Sequence, residues 1–229
     1  MYELVRGKAS REESNGDPLP HRNQIDRTQV LAAALRIADR TGPDSITMRG
    51  VAAEVGVAPM SLYHHLPNKE AILSDVAETI AAAALGDPRT RGAWQERARL
   101  LFVGLYELVQ AHPRALPLIT TGVLRTPSGR RWMEELMGVL LEAGFAPETA
   151  AEIYHDLGAY TLGLGYAQML SLEVPAETII VELAGHWADY PNLMTVGLQL
   201  AVWDHAADFA TGLDVLLAHF VDRLSGERR

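Results

Sequence analysis

The sequence contains no cysteine. That excludes a disulfide framework, a thiolate nucleophile and a cysteine-ligated zinc. It has no long apolar stretch either. The longest run, "TIAAAALG", falls far short of the roughly 20 residues that span a bilayer. The N-terminal stretch "MYELVRGKASREESNGDPLPHRNQ" carries no apolar signal core. A soluble, cytoplasmic protein with no membrane partner is expected. Alternating apolar and polar strands and Asn-Gly hairpin signals are missing. So are a nucleophile elbow, a phosphate-binding glycine loop and an HExxH pair. His112, His155, His186, His205 and His219 are scattered, and the neighbours His155 and Asp156 point apart on a helix. No enzyme, no metal and no cofactor are expected.

Excess positive charge is also lacking, since the chain carries −9 overall. The charge is uneven, however. Between Arg22 and Lys69 six Lys/Arg face four acids, a balance of +2 that leaves −11 for the rest. An acidic body with a near-neutral tip can be oriented by a phosphate backbone. A merely solvated acidic surface has the same composition.

What is present reads as helix throughout, with 48% apolar and 21% charged residues. Residues 1–24 are polar and rich in Gly, Pro and Ser, too poor in apolar area to offset ordering entropy. Disorder is expected there. Asp26 followed by Gln29 resembles a capping box, and Val30, Ala34, Ile37 and Ala38 then share one helical stripe. "TGPDS" ends that helix. Thr47 is the N-cap expected for a short second helix, with Val51, Ala52 and Val55 inward and Gly56 as its left-handed stop. Pro59 suits the first turn of a third, shorter helix. Asn68 caps a fourth, which Gly86 and Pro88 should end. Downstream, helices are expected to end at Pro113 and Gly144, with "RALPLITTGVLRTPSG" broken by Pro117 and Pro127. A helix starting at Pro147 and a last one from "WDHAADF" complete the chain. The fold class expected is all-α, with about nine or ten helices.

A helix, a tight glycine turn and a second short helix make a helix-turn-helix. Val57 and Leu62 plug the space between them. Pro59, Met60, Ser61, Tyr63 and His64 are left outward, a face without an acid. Hydroxyl and imidazole groups can bond phosphates or base edges, and apolar groups can touch thymine methyls. Spacing alone admits either a reading surface or an ordinary helical corner. A metal on His64 and His65 is disfavoured, because adjacent helical side chains diverge by roughly 100°.

The stretch "DRTQVLAAALRIADRTGPDSITMRGVAAEVGVAPMSLYHHLPNKEAILSDV", with its pattern "GV…LYHH…NK", resembles the N-terminal domain of the tetracycline-repressor (TetR) family. "WMEELMGVLLEAGF", "LGAYTLGLGYAQ" and "FATGLDVLLAHFVDRL" resemble the C-terminal domain of the tetracycline-repressor subgroup. Only the tail before Asn23 lies outside. The resemblance implies a disordered tail (1–24), a helix-turn-helix DNA-binding domain (25–72) and an effector-binding, dimerising domain (73–229). The third helix would then enter the major groove of a palindromic operator. Arg49 matches a base-reading arginine; Pro59, Met60, Ser61, Tyr63 and His64 match third-helix contacts; Thr47 and Lys69 match phosphate contacts. Pro59 stands where the tetracycline repressors carry a base-reading amide, so the operator should differ. The tail, with Arg6, Lys8, Arg11 and Arg22, reads as a lead more than as a minor-groove arm.

The resemblance also implies a homodimer through a four-helix bundle of segments 147–172 and 205–224. Gly158, Gly163 and Gly165 would permit close approach to a partner or merely contact the same subunit's core, and Phe209, Leu213, Leu216, Leu217 and Phe220 form a stripe wide enough for an interface. The family's drug–magnesium ligands are missing. The metal-binding His falls near Ile119 or Thr120, the drug-gripping groups near Leu85 and Leu101 or Phe102, and an assisting carboxylate at Ala167. Tetracycline–magnesium is therefore not the effector expected. Effector-pocket positions read Leu101, Phe102, Tyr106, Met133, Leu136, Met137, Ala151, Tyr154, His155 and Gly158, while Trp132 covers an outer face. These positions describe an apolar cavity for a small, lipophilic, uncharged effector, and most of them would serve equally in a solid core. The alternative is a ligand-independent or protein-partnered regulator, a repressor or an activator, whose C-terminal domain only dimerises.

Overall fold

The computed structural model describes residues 26–85, 91–173, 178, 190–201 and 205–227. The expected disorder of residues 1–24 and the stops at Gly86 and Pro88 lie outside these. Among the described residues there are ten α-helices and no strand: α1 (Arg27–Thr41), α2 (Met48–Val55), α3 (Pro59–Tyr63), α4 (Lys69–Leu85), α5 (Trp94–Ala111), α6 (Leu116–Gly122), α7 (Pro127–Ala143), α8 (Pro147–Glu173), α9 (Pro191–Ala201) and α10 (His205–Glu227). Short 3₁₀ turns precede α2, α6 and α7.

The caps explain most boundaries. The Asp26 carboxylate accepts from the Thr28 N–H, two residues on, rather than in the box spacing anticipated with Gln29. Thr47 Oγ accepts from the Gly50 N–H, Asn68 Oδ1 from the Ala71 N–H and Thr126 Oγ from the Gly129 N–H. Each satisfies an amide that a helix start leaves orphaned. Gly56 ends α2 at φ 79°, and Gly144 ends α7 at φ 98°. A side chain is strained in that left-handed region. Pro117 and Pro127 do not break helices. Pro117 lies in the first turn of α6 and Pro127 opens α7, where a missing N–H costs nothing.

Helices α1 to α3 form a small N-terminal head around Val30, Ala34, Ile37, Val51, Ala52 and Leu62, all buried. The C-terminal body stacks α5, α7, α8 and α10. Helix α4 packs on α1 at one end and on α5, α6 and α7 along the rest. Its Ile72, Val76, Ala77, Ile80 and Ala81 are buried, so the core runs without a break from head to body.

Two expectations about the bundle are corrected by packing. Phe209, Leu213, Leu217 and Phe220 are buried, and Leu216 half-buried, within this chain, where α10 lies on α5 and α8. The stripe is internal core and cannot also be an interface. A Cβ on Gly165 would sit 2.0 Å from Val109 Cγ1, so this glycine serves the chain's own α5–α8 contact. Over Gly158 and Gly163 there is open space instead.

Candidate nucleic-acid interface and ligand cavity

Helix α3 has only five residues and gets its position from its flanks. Val57 N–H donates to Ala52 carbonyl at 2.9 Å, closing the turn around Gly56. Leu62 and Leu66 are buried and hold the segment down. The phase of the helix then turns Pro59, Met60, Tyr63 and His64 to solvent, Met60 to 72% and Tyr63 to 49% exposure. Ser61 is half-buried at the edge. Arg49 is exposed on the first turn of α2.

Met60 and Tyr63 are outside the packed core, and Arg49 is exposed on the neighbouring helix. The nearby acid on α2 is neutralised. Arg40 and Arg36 of α1 hydrogen-bond Glu54, at 2.9 and 3.1 Å, and lower its carboxyl to about 2. Thr47 caps α2 and keeps its hydroxyl proton for a further acceptor. Lys69 is half-buried and donates to the Asp44 carbonyl at 2.8 Å, which fixes the ammonium at the head's surface. Two of its three N–H groups stay available. Among the described residues no cluster of three or more His, Asp or Glu could hold a metal, His64 and His65 included.

The head is tied to the body by polar contacts besides the core. Arg27 of α1 pairs with Asp75 of α4. His112 Nδ1, just past α5, lies 2.9 Å from Asp39 Oδ1 of α1. Deeper in the body, Glu78 of α4 caps the start of α7, accepting from the Ser128 N–H at 3.0 Å and the Ser128 hydroxyl at 2.7 Å. Burial alone would raise this carboxyl. The Ser128 and Thr126 bonds and the nearby Arg131 outweigh it and leave it lowered.

The body holds a cavity of about 270 Å³. Helix α5 contributes Leu105, α6 Ile119 and Thr120, the following turn Leu124, and α7 Trp132. Helix α8 contributes Tyr154, His155, Gly158, Ala159 and Leu162. Of the sequence-derived positions, Tyr154, His155 and Gly158 therefore line it. Leu101, Phe102, Tyr106 and Leu136 do not. They are buried in the solid core, Tyr106 stacked on Phe209 at 3.9 Å. Met133 and Met137 pack half-buried against that core, and Ala151 is exposed on α8. Trp132 does not cover an outer face. It is 3% exposed, its edge meets Phe102, and its indole N–H donates to the Leu101 carbonyl at 3.1 Å. Burial pushes the Tyr154 phenol up. The sequence held one signal for the missed wall: Ile119 and Thr120 had already aligned with a ligand-holding position.

Residues 30–76 match the family described as bacterial regulatory proteins, tetR family, and residues 87–220 the tetracyclin repressor-like C-terminal domain. The chain belongs to the TetR family. TetR-family proteins are DNA-binding regulators, and relatives with assigned roles agree. The HTH-type transcriptional repressor DrrR1 of Streptomyces coeruleorubidus is 29% identical over 177 residues, 75% of this chain and 63% of that one. The matched stretch thus spans less than two thirds of that relative's length. The class G tetracycline repressor protein of Vibrio anguillarum is 28% identical over 207 residues, 86% of this chain and 94% of its own. A possible TetR family regulator from Streptomyces coelicolor A3(2) superposes with a TM-score of 0.73 at 26% identity, covering 86% of this chain and 99% of that one. No described helix is long and apolar enough to cross a membrane.

Proposed function

We propose that this TetR-family chain is a cytoplasmic transcriptional repressor, not an enzyme, that binds a palindromic operator as a homodimer and is released by a small, lipophilic, uncharged effector. The observation that carries this reading is the pairing of two sites on one connected core. An exposed, acid-free face on α3 stands at one end, and an apolar cavity at the other, with α4 packed against both regions. In this reading α3 enters the major groove. Arg49 reads a guanine with two hydrogen bonds, and Pro59, Met60, Ser61, Tyr63 and His64 contact base edges and methyls. Thr47 and Lys69 hold phosphates and set the register.

The homodimer would use the outward faces of the long helices. On α8 these are Asp156, Gly163, Tyr166 and Leu170, at helical spacing, with Tyr166 52% and Leu170 43% exposed. On α10 they are Thr211, Val215, Ala218 and Asp222, Val215 at 64%. Open space over Gly163 suits a close crossing. Tetracycline–magnesium is not the effector in this reading, because the cavity wall offers Ile119 and Thr120 where that chelate needs a histidine.

The test is binding to DNA from the chain's own promoter region at two salt concentrations. Wild type should bind tightly, selectively and with salt sensitivity, and Arg49→Ala and Tyr63→Ala should lose selectivity. A wild type that prefers no sequence, in the promoter or in a genome-wide selection, would overturn the proposal.

A further inference from the structure

The donor set of the cavity narrows what it can hold. No Asp, Glu, Lys or Arg lines it. A charged ligand buried there would meet no permanently charged partner, which is expensive. Some of its polar groups are already occupied. The Trp132 N–H is spent on Leu101, and the Thr120 hydroxyl donates to the Leu116 and Pro117 carbonyls at 3.1 Å. The Tyr154 hydroxyl has no hydrogen-bond partner among the described residues, although the ring is packed edge-on against His155. The Tyr154 phenol and the His155 imidazole are therefore the uncommitted polar groups among side chains that are otherwise apolar or already bonded.

The shape narrows it further. Along α8 the floor is made of Gly158 and Ala159, with nothing within 4 Å of where a Gly158 Cβ would stand. Tyr154 and Leu162, the outermost lining residues on α8, lie eight residues apart, or about 12 Å of helix. A trough with a backbone floor accepts a flat face. Its length, less the thickness of the two end residues, fits a short fused-ring system and not a long one. The volume of about 270 Å³ sits just under the range of drug-sized pockets, roughly 300–1,000 Å³.

We infer that this cavity binds an uncharged, flat aromatic molecule of about two or three fused rings, carrying one hydroxyl or carbonyl oxygen that pairs with the Tyr154 hydroxyl. The inference rests on the effector reading above and adds the ligand's class.

The experiment is calorimetric titration of the full chain with four probes: 2-naphthol, naphthalene, 2-naphthoate and tetracycline with magnesium. Selective DNA binding is measured on the same preparations. 2-Naphthol should bind at one site per chain, with 2-naphthoate and tetracycline–magnesium at least about tenfold weaker. Gly158→Leu, which fills the trough, should abolish 2-naphthol binding while DNA selectivity persists. Tyr154→Phe should weaken 2-naphthol about fivefold and leave naphthalene unchanged, because only the hydroxyl bond is removed. Equal binding of 2-naphthoate or of tetracycline–magnesium would overturn the inference. So would no 2-naphthol binding, or binding untouched by Gly158→Leu. Wild type that selects DNA but rejects 2-naphthol sinks the ligand class alone. Wild type that selects no DNA sinks the regulator reading beneath it.

Discussion

The head and the body solve opposite problems with the same helices. In the head, Pro59, Met60 and Tyr63 of the five-residue α3 are pushed outward, and Leu62 of the same helix is sealed completely. In the body, apolar side chains turn inward and stop short of filling the space, leaving a gap over Gly158. A recognition surface made of projections depends on the phase of one helix. A cavity depends on the failure of several helices to meet. The first is a local property and the second a global one, and perturbations should separate them.

The largest effect expected is on the support beneath the head. Leu62→Ala should cost about 2–5 kcal/mol, read as a lowered denaturant midpoint, and DNA binding should fall with it. An unchanged midpoint would mean that α3 is not seated by Leu62. Arg49→Ala should cost about 1–3 kcal/mol toward the selected operator and much less toward random DNA. Its affinity for a cavity ligand should stay within about twofold, since distant sites without shared partners behave additively. A large loss of ligand affinity would erase the division between the two regions.

Glu78→Ala should cost about 1–3 kcal/mol, because it strands the Ser128 amide at the start of α7. Its pH signature has a definite sign. A carboxyl lowered by folding contributes stability above its unfolded value, about 4.3, and loses it as pH falls through the folded value. Glu78→Gln should therefore flatten the acid limb of the stability curve between roughly pH 4.3 and the folded value. Equal slopes for the two proteins would argue that the Ser128 bonds do not favour the ion. The smallest effect is expected at Lys69. Lys69→Met should weaken all DNA sequences alike and reduce the salt slope by about one. A sequence-dependent loss would move Lys69 from holding the backbone to reading bases.

The same contrast decides what could be read from the sequence. The facing of α3 was legible because Gly56 and Pro59 fix where the helix starts and therefore which residues turn out. Thr47, Asn68 and Gly144 announced their caps by residue type. The cavity was not legible in the same way. Phe102 and Leu136 are as apolar as Leu105 and Leu162, and only tertiary packing puts the first pair in solid core and the second at a wall. Likewise, the stripe on α10 shows that a face is buried but not which chain buries it. Trp132 lies inside rather than on an outer face because the Leu101 carbonyl receives its indole N–H.

Helix α4 rises about 25 Å over its 17 residues. A tilt of about 5° at its body end therefore displaces its head end by about 2 Å. Hydrogen bonds to base edges tolerate a few tenths of an ångström before they fail. In the proposed homodimer the error would be made twice, in opposite senses, across half-sites about 34 Å apart. The gearing would be steep: in the proposed repressor, a ligand that tilted α4 by these few degrees would break the base contacts of both reading helices.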